Sequence, residues 1–134
     1  MIMYESEFCL TLFDEETSVL KVEWKPSTTN MSTEEFKQHL LVFAESAERT
    51  SAGGILVDAT KMGFSIPQIV QEWHDEVIIP RYSSAGVEKM AFLQPESFIA
   101  RETTIQTFEE ASAAELIQMQ LFDDEAEAIQ WLWS

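Results

Sequence analysis

The chain holds a single cysteine, Cys9, so no disulfide forms within it. With no histidine near it in sequence, that thiol reads as a strand residue and not as a nucleophile. Four glycines and four prolines in 134 residues are too few for a collagen-like or low-complexity chain. No stretch approaches the ~20 apolar residues of a membrane span, and Met1-Ile2-Met3-Tyr4-Glu5-Ser6-Glu7 carries acids where a secretory signal needs a basic region. The expectation is a cytoplasmic protein with no membrane insertion. Cations are scarce as well: 8 Lys and Arg stand against 24 Asp and Glu, a formal net charge of -16. The basic residues are scattered among acids, which disfavours nucleic acid and anionic lipid as partners.

Catalytic signatures are missing too. There is no Gly-x-Ser-x-Gly elbow, phosphate-binding loop, Gly-x-Gly-x-x-Gly or Cys-x-x-Cys. The triplets Asp14-Glu15-Glu16 and Asp123-Asp124-Glu125 lack the spacing and glycine of a calcium loop and fit a hairpin turn and a helix start. His74 has no second histidine at helical spacing and reads as a surface residue, and His39, four residues after Glu35, as half of a surface pair. No catalytic set, metal or cofactor is expected, and so no enzyme.

What remains is a well-patterned chain. With 46% hydrophobic residues, it suits one domain over residues 1–134. Phe8, Leu10 and Leu12 alternate with Cys9, Thr11 and Phe13, and Leu20, Val22 and Trp24 with Val19, Lys21 and Glu23, which predicts an antiparallel hairpin. Ser32-Thr33-Glu34-Glu35 is a capping box opening a helix whose stripe is Phe36, Leu40, Phe43, Ala44 and Ala47, ended by Gly53-Gly54. Gly54-Ile55-Leu56-Val57-Asp58 then reads as a buried parallel strand. A second helix carries Ile66, Ile69, Val70, Trp73 and Val77, with Ser65 as cap, Pro67 in its first turn, Pro80 bending or ending it and Gly86 as a stop. Lys89 to Leu93 is another buried strand, residues 98–110 a shorter helix, and residues 117–121 an edge strand with one wet face. A last helix presents Phe122, Ala126, Ile129 and Trp133 on one face, leaving Trp131 off the stripe as a candidate interface residue. The order ββαβαβαβα gives an α/β fold with a mixed sheet of about five strands and about four helices.

The residues Phe13-Asp14-Glu15-Glu16-Thr17 through Val22-Glu23-Trp24, Met31 to Phe36, Ile55-Leu56-Val57-Asp58, Gln71-Glu72-Trp73 and Phe122-Asp123-Asp124 carry a resemblance to the bacterial STAS-like, SpoIIAA-like domains. Such domains resemble anti-sigma-factor antagonists and the STAS domains of anion transporters, and their wider superfamily shares features with CRAL-TRIO lipid carriers. The resemblance implies a non-enzymatic regulatory or protein-interaction module. In the antagonists a phosphorylatable serine follows the central strand in an Asp-Ser-x-Gly type motif. The matching stretch here reads Asp58-Ala59-Thr60-Lys61-Met62-Gly63-Phe64-Ser65, without the Asp-Ser pair and its glycine, and Ser65 is the candidate for phosphorylation.

Ligands of open α/β sheets sit beyond the carboxyl ends of the parallel strands, which directs attention to residues 58–65. The candidate ligand or partner residues are Asp58, Thr60, Met62, Phe64 and Ser65, with Arg101 as a second positive charge for an anion. Met62, Phe64 and Ile66 can instead wall an apolar pocket against residues 94–101. Two functions follow as expectations. One is a module binding a protein partner or a second copy, as a homodimer. The other is a carrier or sensor of an apolar, lipid-like small molecule at the ends of the parallel strands.

Overall fold

The computed structural model describes residues 1–64, 66–94 and 117–133. Six strands lie side by side in chain order: β1 (Ile2–Glu5), β2 (Cys9–Asp14), β3 (Val19–Trp24), β4 (Gly54–Asp58), β5 (Lys89–Leu93) and β6 (Gln118–Phe122). β1, β2 and β3 are antiparallel, and β3 to β6 run parallel. The sheet is therefore mixed, as the sequence implies, with one strand more. β1 escapes the pattern because four residues between polar neighbours carry little alternation. Its pairing partner, β2, supplies the stability, and a register shift between Ile2 and Tyr4 breaks this edge.

Helix α1 (Thr33–Thr50) begins at the expected capping box. The Ser32 hydroxyl accepts from Glu35 N–H at 3.1 Å, and Glu35 Oε1 accepts from Ser32 N–H at 3.0 Å. These bonds hold the Glu35 carboxyl below its usual range. The helix ends at Thr50, where its apolar stripe runs out ahead of Gly53-Gly54, with Ser51 in the left-handed region (φ 52°) as its cap. The polar stretch Pro26–Asn30 before it is a 3₁₀ turn.

Helix α2 (Gln68–Trp73), a π-helical turn (His74–Ile78) and helix α3 (Ile79–Ala85) form one continuous rod, stopped at Gly86 with φ 109°. Pro80 does not end the rod but sits in the first turn of α3. It has no N–H to give and crowds the preceding turn, and it stands directly after the π turn, where Ile79 N–H bonds His74 O. The wider turn shifts every later side chain around the axis. Val77 is consequently 37% exposed while Ile78, Ile79 and Tyr82 are buried, and before the turn Ile69 already faces out at 75% exposure beside buried Val70, which corrects the expected stripe.

The rod and α1 cover one face of the sheet, where Leu20, Val22, Trp24, Ile55 and Met90 form the main core with Phe36, Leu40 and Phe43. Helix α4 (Glu125–Trp133) covers part of the other face, over Val19, Leu56, Ala91 and Leu93. Its buried side is Ala128, with Trp131 and Leu132 half-buried, and not the expected Ala126, Ile129 and Trp133. Trp131 packs on Phe122 at 5.7 Å, with Lys89 5.1 Å above its ring, and Trp133 is the one turned out, at 67% exposure. The expected helix over residues 98–110 lies outside the described residues. Among the described residues no helix is long and apolar enough to cross a membrane.

Candidate functional site

The loop after β4 uses its polar groups on itself. Asp58 Oδ1 accepts from Thr60 N–H at 3.1 Å and from the Thr60 hydroxyl at 2.6 Å, which closes an Asx turn and occupies both residues. The loop is pinned from below by Thr28, whose hydroxyl accepts from Gly63 N–H at 2.9 Å and donates to Lys25 O at 2.8 Å. Gly63 lies so close to Thr29 that a Cβ there would overlap the Thr29 hydroxyl. Met62 and Phe64 fold inward and are buried, and Phe64 stacks on Phe36 at 4.9 Å. Ser65 and Arg101 lie outside the described residues.

Behind this loop the core is incomplete. A cavity of about 80 Å³ lies between the sheet and the helical layer, at the carboxyl-end half of the parallel strands. Val22, Trp24, Val57, Ala59, Met90 and Phe92 floor it. Phe36, Leu40 and Phe43 of α1 form one wall, and Met62 and Ile66 close the loop end. Of the apolar loop residues singled out by sequence, Met62 and Ile66 line the cavity, and Phe64 braces Phe36 instead. The wall opposite the sheet is the rod, and there the lining turns polar, with Gln71, His74 and Asp75 beside Tyr82.

Sequence reasoning missed Gln71 and Asp75 and read His74 as a surface residue, whereas it is half-buried and lines the cavity. Gln71 is 2% exposed, its Nε2 donates to Ile66 O at 3.1 Å, and its Oε1 is buried with no partner. His74 Nδ1 and Asp75 Oδ1 are likewise buried without a hydrogen bond. They stand 3.5 Å apart, a contact too long and poorly aligned to bond and an ion pair only with a protonated imidazole. Buried polar atoms are rarely left unpaired, since each costs about 1–3 kcal/mol. All three belong to residues that line one wall of the cavity. The available signal was Pro80, six residues after His74, inside an otherwise helical run.

The other histidine is structural. His39 was expected on the surface with Glu35 but is buried. Its Nδ1 lies 2.6 Å from Glu35 O, which can only accept, so Nδ1 donates, and Nε2 takes the Ser6 hydroxyl at 2.7 Å. Tyr4, Phe8 and Trp24 ring it at 5.7–5.9 Å. Cys9 is fully buried, and burial pushes its thiol up despite the hydrogen bond from Ser6. Among the described residues no group of three His, Cys, Asp or Glu side chains is placed to hold a metal. Comparison with protein-family models, with functionally characterised proteins and with solved structures finds no match to this chain.

Proposed function

We propose that the chain is a small-molecule binding domain, a carrier or sensor that takes an apolar ligand into the cavity between the sheet and the helical layer. The observation that carries this reading is a cavity of about 80 Å³ in which apolar walls meet three buried, unpartnered polar atoms on one rod. Ligand sites combine mostly apolar linings with a few convergent polar groups in this way. The size suits a compact molecule, roughly half the ~150 Å³ cavity that takes up benzene in a well-studied engineered lysozyme. The STAS-like resemblance, with its likeness to lipid carriers, is compatible with this reading and stays a proposal of ours.

Thermal unfolding with added 1-butanol tests it. The midpoint should rise with probe concentration in the native chain, and not in Ala59→Leu, where added methyl groups fill the cavity. No rise with either 1-butanol or n-butylamine, or an equal rise in the filled variant, would sink the reading.

A second reading, association with a protein partner or a second copy as a homodimer, is supported by the exposed Trp133 next to Ile129, 39% exposed on the same helix. Sedimentation at increasing concentration should show self-association that Trp133→Ser abolishes, and a monomer at every concentration would rule out the homodimer.

A further inference from the structure

We propose that the cavity selects small apolar amines, the ammonium being received by Gln71, His74 and Asp75 and the hydrocarbon by the sheet face. The inference rests on the small-molecule reading above and names its ligand class. At positions i, i+3 and i+4 the three residues share one side of the rod, and all three line the cavity.

Their unpartnered atoms have a common property. Gln71 Oε1 can only accept a hydrogen bond, because the amide's other end is committed as donor to Ile66 O. The Asp75 carboxylate accepts only, and His74 Nδ1 accepts in the tautomer with its proton on Nε2. A carboxylate or phosphate head offers nothing to such a wall and meets Asp75 as a like charge. An alcohol offers one donor for three acceptors. An alkylammonium offers three N–H donors and neutralises a carboxylate whose buried oxygen has no hydrogen bond, which removes the largest cost in the site.

Two features outside the triad favour the same charge. Trp24, Phe43 and Phe92 bring aromatic rings to the cavity lining, and aromatic rings attract cations. The chain's formal net charge of -16 draws cations toward any opening and repels anions. Half-buried Val57, Ile66, Asp75 and Phe92 mark where the lining meets the surface. At about 80 Å³ the space matches a short alkyl chain and not a long-chain lipid.

The test is calorimetric titration of the full chain with n-butylamine, 1-butanol and butyrate, which share a carbon skeleton and differ in the head. The amine should bind roughly ten-fold more tightly than the alcohol, the scale of one charge-assisted hydrogen bond, and butyrate weakest of the three. Asp75→Asn keeps the side-chain shape and should bring amine and alcohol within about three-fold of each other. Alcohol or butyrate binding as tightly as the amine, or an amine preference that survives Asp75→Asn, would overturn the inference and leave the cavity a ligand site of another class. Failure of all three compounds to bind the native chain would overturn the inference together with the reading beneath it. The comparison among ligands on the native chain needs no variant, so it stands even where Asp75→Asn fails to fold.

Discussion

At the scale of single residues, polar side chains in this protein do one of two things, and position in the fold decides which. Those in the loops satisfy the backbone: Thr28 holds Gly63, Asp58 holds Thr60, and Ser32 caps α1. Thr28→Val keeps the shape but leaves Gly63 N–H without its acceptor, and should cost about 1–2 kcal/mol in urea unfolding. Ser32→Ala should cost about 1 kcal/mol by the same measurement. Both losses should appear without any effect on ligand uptake, since neither residue lines the cavity. The atoms on the rod are the opposite case. Gln71, His74 and Asp75 carry buried polar atoms without a hydrogen bond among the described residues, His74 Nδ1 and Asp75 Oδ1 lying 3.5 Å apart.

At the scale of elements, the legible parts of the sequence were those whose local chemistry agrees with the fold. The capping box at Ser32 announced α1, the alternation of Leu20, Val22 and Trp24 announced the face of β3 that is buried, and the run Gly54–Asp58 announced a central parallel strand. Two helical faces were misread for different reasons. In the rod, a regular 100° step per residue placed Val77 inside, and the π turn before Pro80 invalidates that step beyond Trp73, whereas Ile69 faces out before the turn begins. In α4, the buried side is chosen by what the sheet offers. Gly54 lets Leu132 approach, with 3.3 Å between its Cδ2 and any added Cβ, and Lys89 Nζ bonds Trp131 O at 3.1 Å. Neither partner is visible from the helix alone. The site was legible in its loop half, Met62 and Ile66, and its polar half was hidden because Gln71, His74 and Asp75 are polar residues on a helix and read as its solvent face. The phase is directly testable. Ile78→Ala should destabilise the protein by about 2–5 kcal/mol as a core truncation, whereas Val77→Ser, one residue earlier in the same turn and exposed, should cost well under half of that. Equal effects would return the rod to a regular helix.

At the scale of the whole molecule, one sheet separates two unequal layers: the larger encloses the cavity, and the smaller carries α4 and the exposed Trp133. The larger layer also sets the alkaline limit. Burial pushes the Tyr82 hydroxyl far up, against a smaller opposing pull from Arg81, and burial likewise raises the Cys9 thiol from its ordinary value of 9.0. Both groups hold their protons longer in the folded chain than in the unfolded one. The stability this provides is fully present below pH 9.0 and lost as pH rises through the folded values. The urea midpoint should therefore fall above about pH 9, and Cys9→Ala should delay the start of that fall. A midpoint that rises in this range would reverse the assignment.

The most direct test of the central claim, that the cavity takes a small apolar ligand, uses the six methionines as reporters. Met62, Met90 and Met119 line the cavity, and Met1, Met3 and Met31 do not. In a titration of ¹³C-methyl-methionine protein with n-butylamine, the account predicts saturable shifts of the Met62, Met90 and Met119 methyl signals, with the other three unmoved. Shifts spread evenly over all six, or none at the three lining methyls up to saturating probe, would contradict it.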